Sequence, residues 1–336
     1  MLFIADMTSR DRIPDPIRDP IRDPIRNQSP GRIPDQIRHR AIGAYLGLAV
    51  GDALGATVEF MLPQEIRAQY REHRDIIGGG WLRLRKGQIT DDTGMSLALG
   101  RSILRSGGLD AHDIADALSD WMRSKPVDIG NTVRRGIASY RRTGEPRMPE
   151  NEFDAGNGAC MRCLPVALAT LGAESADVDA ANRLQAHVTH NNHTSDAGTL
   201  CIIRMTQCAL LGGGKRDLKR LADALVTDDP IFAYDRKRCE NPSAFIVDTL
   251  RAVFQALFAT DSFEAALIDV VNRGGDADTT AAILGMIVGA LHGPARIPAR
   301  WVRRLDRDVR LECLTQARQL LERSPFCAAH PTANIE

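Results

Sequence analysis

The sequence has no excess of either charge: over 336 residues Lys+Arg and Asp+Glu both total 43, a formal net charge of zero. Without a basic excess it lacks the electrostatic footprint of a nucleic-acid-binding chain. It has no window of about 20 uncharged apolar residues, the length a helix needs to cross a bilayer. Its most apolar long segment, residues 41–62, is interrupted by Asp52 and Glu59. No long apolar run follows the N-terminus, so no secretory signal is expected there. The seven cysteines are odd in number and scattered, which argues for a reduced, intracellular chain and against a disulfide scaffold. The lone C-x-x-C, Cys160 to Cys163, has no second pair and no preceding strand, so neither zinc nor redox chemistry is expected of it. No convincing alternation of apolar and polar residues marks a strand.

What is present is helical. Residues 1–37 are a low-complexity segment in which I-R-D-P recurs every four residues, with proline too frequent for a helix and apolar residues too few for a core. It reads as a disordered extension or, equally, as upstream sequence translated from a misplaced start. From His39 onward apolar residues recur at helical spacing, and with 43% hydrophobic residues a sizeable core can form. The expectation is an all-α fold, a single compact bundle of about a dozen helices over residues 38–325 with a tail at 326–336. "RAIGAYLGLAVGDALGATVEF" carries glycines at 43, 47, 51 and 55. Each costs about 1 kcal/mol in a helix interior, so four in one row require a packing reason, namely close approach of another helix. Asp110 is the expected N-cap of the helix that follows it.

Several polar, glycine-containing connections are chemically loaded. Thr90, Asp91 and Asp92 stand at one helix start, Asp276, Asp278 and Thr279 at another, and Glu59 lies just past the glycine-ridged helix. Such groups before a helix are ordinary caps when taken singly. Taken together they are hard oxygens that suit Mg²⁺, Mn²⁺ or Ca²⁺ and not zinc. Four aspartates and a glutamate in one cleft would repel one another unless about two divalent cations neutralised them, and such a pair can activate a water. Asp128, in "KPVDIGN", is a turn aspartate or a site residue. Gly156, Asn157 and Gly158 form a turn or a phosphate-approach loop at a helix start. In "HVTHNNH", His190 reads as a hydrogen-bonding residue, and metal ligation by it, His187 or His193 is disfavoured. Phe153 and Phe245 are core residues or base-stacking platforms.

"GLAVGDALGATVEF", "GQITDDTGM", "AGNGACMR", "HVTHNN" and "NRGGDADTTAAILG", in this order, resemble the ADP-ribosylglycohydrolases over about residues 40–324. Within that family, "GGGWLRLRKGQITDDT", "KPVDIGNTVRRGI", "NGACMRCLPVALATLG" and "WVRRLDRDV" look most like members acting on dinitrogenase reductase. The resemblance implies an all-α fold with a binuclear centre, Mn²⁺ with Mg²⁺ as the alternative, at the base of a cleft. Its ligands would be Thr90, Asp91, Asp92, Asp276, Asp278 and Thr279, with Asp91 also facing the substrate. Glu59 and Asp128 are the candidate catalytic groups, with the choice of base open between them. The loop with Gly156, Asn157, Gly158, Ala159 and Arg162 would wrap the diphosphate and distal ribose. His190 would bond the ligand, and Phe153 or Phe245 would flank the adenine.

The implied substrate is an ADP-ribosylated arginine of dinitrogenase reductase, whose release restores nitrogenase activity. Also implied are control by a PII signalling protein and a cytoplasmic location with sequestration at the ammonium transporter of the inner membrane. Two other possibilities remain at this point: hydrolysis of other ADP-ribose conjugates, and a non-catalytic, crystallin-like relative. Two departures stand out. Gly94 occupies a position where family members more often carry a larger polar residue, and the I-R-D-P segment has no counterpart.

Overall fold

The computed structural model describes residues 35–329, and the I-R-D-P segment up to residue 34 lies outside the described residues. Two long helices, Asp35–Gly55 and Ala277–His292, form the centre, and both are buried along most of their length. They run antiparallel in a fixed register: Gly43 lies against Gly289, Gly47 against Gly285, Gly51 against Ala281 and Gly55 against Ala277. A Cβ added at Gly43, Gly47 or Gly51 would stand 2.2, 2.1 and 2.1 Å from the carbonyl oxygens opposite. The glycine row therefore exists to bring two backbones into contact, and Gly285 and Gly289 return the favour from the other helix. This register sets the C-terminal end of one helix, with Glu59 four residues beyond it, beside the N-terminal end of the other, with Asp276 and Asp278.

The two ends are tied by backbone bonds. Phe60 N–H donates to Gly275 O at 2.7 Å, and Gly275 N–H donates to Met61 O at 3.1 Å. Gly274 and Gly275 sit at φ 70° and 64°. Side chains rarely adopt this region, and a Cβ on either would strike the carbonyl of Met61 or Pro242. The remaining helices wrap this pair.

Among the described residues there are sixteen α-helices, two short 3₁₀ turns and no strand, only two isolated bridges. The all-α expectation holds, with more helices than the dozen expected. The extra ones include Gly158–Met161, Ala299–Val302 and Pro325–Ala328, four residues each and too short to display a 3.6-residue period. The first helix begins at Asp35, because Ile37 is buried in the core. At the other end, Phe326 and Cys327 are buried, and Phe326 N–H donates to Leu171 O at 2.8 Å. Asp110 caps its helix as expected, accepting from Asp113 N–H at 2.8 Å.

Candidate active site and metal centre

The helix Asp91–Ser106 starts at Thr90, yet the Thr90 side chain makes no capping bond. The cap comes from another helix. Asp52, fully buried on the glycine-ridged helix, accepts from Thr90 N–H at 2.9 Å, Thr93 N–H at 3.1 Å, Thr90 Oγ1–H at 3.0 Å and Thr93 Oγ1–H at 2.5 Å. Asp276, at the cap position of the Ala277 helix, likewise makes no side-chain capping bond. Capping is thus not what holds either acidic cluster in place, and the carboxylates are left to face one another. Thr280 is the structural member of its motif, its hydroxyl donating to the Asp276 carbonyl.

One carboxylate oxygen from each of Glu59, Asp276 and Asp278 lies within 4.8 Å of the others. The second cluster abuts the first: Thr90 Oγ1 lies 3.1 Å from Asp92 Oδ2, and Thr279 Oγ1 donates to the same oxygen at 3.4 Å. Asp92 Oδ1 is buried without any hydrogen-bond partner. An orphaned carboxylate oxygen amid converging carboxylates, with no nitrogen or sulfur ligand among them, fits a hard divalent cation.

The electrostatics agree. Burial first, then the charges of Asp276, Asp128 and Asp91, push the Glu59 carboxyl up to about 8 against the opposing Trp81 hydrogen bond. Burial and Asp128 push Asp91 up to about 7, and burial pushes Asp52 up to about 6. Burial, followed by neighbouring carboxylates, holds Asp92 and Asp278 well above the usual range. Asp276 is raised by burial, partly offset by Asn157.

A pH dependence follows. Without cations the folded chain holds protons that the unfolded chain, with ordinary values of 3.8 for Asp and 4.5 for Glu, has already released. Stability therefore falls as pH rises from about 4 through about 8. In chelator-treated protein the urea midpoint is expected to drop between about pH 5 and about pH 8, and added Mn²⁺ to abolish the drop. A midpoint that is flat with pH and indifferent to Mn²⁺ contradicts this.

The cleft in front of the cluster has an empty volume of about 770 Å³ including its mouth. Of the residues singled out from sequence, Glu59, Asp91, Asp128, Gly156, Asn157, Gly158, His190, Asp276, Asp278 and Thr279 line it. Thr90 and Asp92 sit behind these, buried. Asn157 has a more specific task than loop flexibility: its amide donates to Asp276 Oδ2 at 2.6 Å and to Thr249 Oγ1 at 2.9 Å, fixing the carboxylate. Gly156 and Gly158 make room for the His190 ring, since a Cβ on either would lie 3.1 Å from Nε2. His190 Nδ1 pairs with Thr189 Oγ1 at 2.8 Å. Burial and then the nearby Arg162 and Arg135 lower its pKa to about 3, so the ring is neutral.

The other residues singled out from sequence do not line the cleft. Arg162 is fully buried, with its guanidinium donating to Gln185 Oε1 and O at 2.9 and 2.7 Å, so it braces the wall behind His190 and does not line the cleft. Ala159 is also fully buried, its carbonyl bonded by Gln185 Nε2. Phe153 is 85% exposed and lines no part of the cleft. Phe245 bridges to Gly156 through its backbone and is 37% exposed. His187 pairs with Asp196 at 2.8 Å. Cys160 and Cys163 are buried free thiols, and burial pushes Cys160 well up. Gly94 has a local reason: a Cβ there would stand 2.8 Å from Trp121 Nε1.

Two residues of the site escaped sequence analysis. Asp52 had a signal, a carboxylate inside an otherwise apolar, glycine-ridged helix. Trp81, whose Nε1–H donates to Glu59 Oε2 at 2.7 Å, had none beyond its place in a quoted motif.

A helical fold with an oxygen-only acidic centre at the base of a cleft defines a class of hydrolase. A model of that class, ADP-ribosylglycohydrolase, matches residues 33–327, and the chain belongs to this family. It is 51% identical over 282 residues to the ADP-ribosyl-[dinitrogen reductase] glycohydrolase of Rhodospirillum rubrum, covering 84% of this chain and 95% of that protein. It is 34% identical over 305 residues to the ADP-ribosylarginine hydrolase Tri1 of Pseudomonas putida (strain GB-1), covering 85% and 79%. A solved structure, of an ADP-ribosylglycohydrolase-related protein complex, superposes with a TM-score of 0.77 at 34% identity, covering 86% of this chain and 99% of that one.

Proposed function

We propose that the protein hydrolyses the bond between ADP-ribose and an arginine side chain of dinitrogenase reductase, reactivating nitrogenase. The observation that carries the proposal is the convergence of Glu59, Asp276 and Asp278 with the unpartnered Asp92 Oδ1 at the base of the cleft. The arginine linkage is supported by the Tri1 relative's name, and the protein substrate by that of the Rhodospirillum relative.

Thr90, Asp91, Asp92, Asp276, Asp278 and Thr279, with Glu59 alongside, would hold two divalent cations, Mn²⁺ in the first instance. When bound, such ions supply Lewis acidity and lower the pKa of water.

The chain's own residues do the rest. The neutral His190 and the Gly156–Gly158 loop form the side wall along which the ADP-ribose lies. As the C1–N bond breaks, positive charge grows on the sugar, and the carboxylates of Asp91 and Asp128 facing the cleft favour it. Water adds its oxygen to C1. One of its protons leaves to a carboxylate, which passes that proton to the departing guanidine nitrogen, so that the arginine leaves as guanidinium. Glu59 and Asp128 both face that point. Control by a PII signalling protein and sequestration at an ammonium transporter belong to the same proposal, on the strength of the family resemblance.

The test compares ADP-ribose release from ADP-ribosylated dinitrogenase reductase with release from an ADP-ribosyl-serine peptide. Faster release from the arginine linkage supports the assignment, and release confined to serine overturns it.

A further inference from the structure

Glu59 stands in a wall between two hollows. On one side is the cleft just described. On the other is an open groove whose lining includes Glu65, Tyr70 and Trp81, and both hollows share Glu59 and Phe60. The Phe60 and Trp81 rings are paired, with centroids 5.4 Å apart and planes at 45°. Both are held out to solvent, 62% and 52% exposed, although the fold buries Phe232, Phe254 and Phe263 completely or nearly so. Phe60 is also held at φ 62°, a region that a bulky residue rarely enters, by the bond from its N–H to Gly275 O. Exposed rings on a strained backbone do not serve a core. They suit a ligand.

The charge of the groove says which ligand. Its ionisable carboxylates are Glu59 and Glu65, and no Lys or Arg lies among the described residues that line it. Aromatic faces flanked by carboxylates suit a planar, delocalised cation, and a guanidinium more than an ammonium.

We infer that this groove is the subsite for the arginine side chain and the peptide segment that bears it, with Glu59 and Phe60 dividing it from the ADP-ribose cleft. The inference rests on the arginine linkage proposed above and adds where that arginine lies. With the ribose in the cleft, the guanidinium passes the wall at Glu59 and stacks on Phe60 and Trp81. The Trp81 indole, bonded to Glu59 Oε2, makes it also a positioning residue for that carboxylate.

The test reads binding without turnover. Of the three tryptophans, Trp121 and Trp301 are 9% and 0% exposed, so indole fluorescence reports ligand contact at Trp81. The full chain is titrated with an arginine-containing tripeptide and with its lysine counterpart. Saturable quenching by the arginine peptide is expected, weaker with lysine and absent in Trp81→Phe. Phe60→Ala is expected to weaken binding about tenfold, the loss of one cation–π face. Glu65→Gln keeps an acceptor for the 2.7 Å bond from Leu62 N–H, so the fold is retained while a charge is removed. It is expected to weaken the peptide several-fold and leave the affinity for free ADP-ribose, measured by calorimetry, unchanged. No saturable quenching in the wild type, or unchanged peptide affinity in both Phe60→Ala and Glu65→Gln, overturns the inference. Because no hydrolysis is read, failure here is separate from failure to release ADP-ribose from dinitrogenase reductase.

Discussion

Asp278→Ala is expected to lose about 10³-fold or more in the rate of ADP-ribose release, the effect of removing several kcal/mol of charge stabilisation. The residue is nearly fully buried at the start of its helix, in a group with Glu59 and Asp276 whose oxygens lie within 4.8 Å. Burial and the charges of Glu59, Asp92 and Asp276 hold its carboxyl well above the usual range, so it sits in an uncompensated negative field. Removing it takes a ligand from the cation and at the same time relieves that repulsion. The variant should therefore fold at least as well as the wild type when cations are absent, yet bind Mn²⁺ more weakly and with a smaller thermal shift. Thermal unfolding with and without Mn²⁺ separates these effects. A variant that is destabilised without cations, or that keeps the full Mn²⁺ shift, contradicts the assignment of Asp278 as a ligand.

The second large effect is on the fold itself. Gly51→Val puts a branched side chain where a Cβ alone would meet the Ala281 carbonyl oxygen at 2.1 Å and its carbon at 2.5 Å. Neither helix can yield without dragging Glu59 from Asp276, since the backbone bonds between Phe60 and Gly275 and between Gly275 and Met61 join their ends. The expected cost is about 3 kcal/mol or more, at the top of the range for overpacking, out of a total that is ~5–15 kcal/mol for a domain. At about 2 °C per kcal/mol, the melting temperature should fall by about 6 °C or more. Gly108→Ala is the control, since nothing lies within 4 Å of its added Cβ. Equal melting temperatures for the two variants would show that the helix pair is not close-packed in solution.

Much of this was legible in the sequence, for physical reasons that can be named. The row of Gly43, Gly47, Gly51 and Gly55 forecast a close helix partner, because nothing else offsets four glycines in a helix. It did not name the partner, because register is a property of the pair and "AILGMIVGAL" displays only two glycines among apolar residues. The acidic clusters were visible as clusters, and their order matched a family. What single segments could not show is that the cap of the Asp91 helix is supplied from 38 residues away by Asp52, through the bond from Thr90 N–H. The same limit explains Arg162. Its place in "GNGACMR" put it beside the glycines in sequence, but the short helix Gly158–Met161 turns it inward onto Gln185. Helices of four residues carry no periodicity, which is why the direction of that arginine was not readable.

The central claim is that this acidic centre holds divalent cations that hydrolysis of an ADP-ribosyl-arginine linkage requires. The direct test is ADP-ribose release from ADP-ribosylated dinitrogenase reductase by the full chain, first stripped with a chelator and then titrated with Mn²⁺, with bound manganese counted in the same samples. The predicted result is no release from the stripped protein and recovery that tracks occupancy of about two ions per chain. Full activity in the stripped protein, or release that is indifferent to occupancy, would contradict the account.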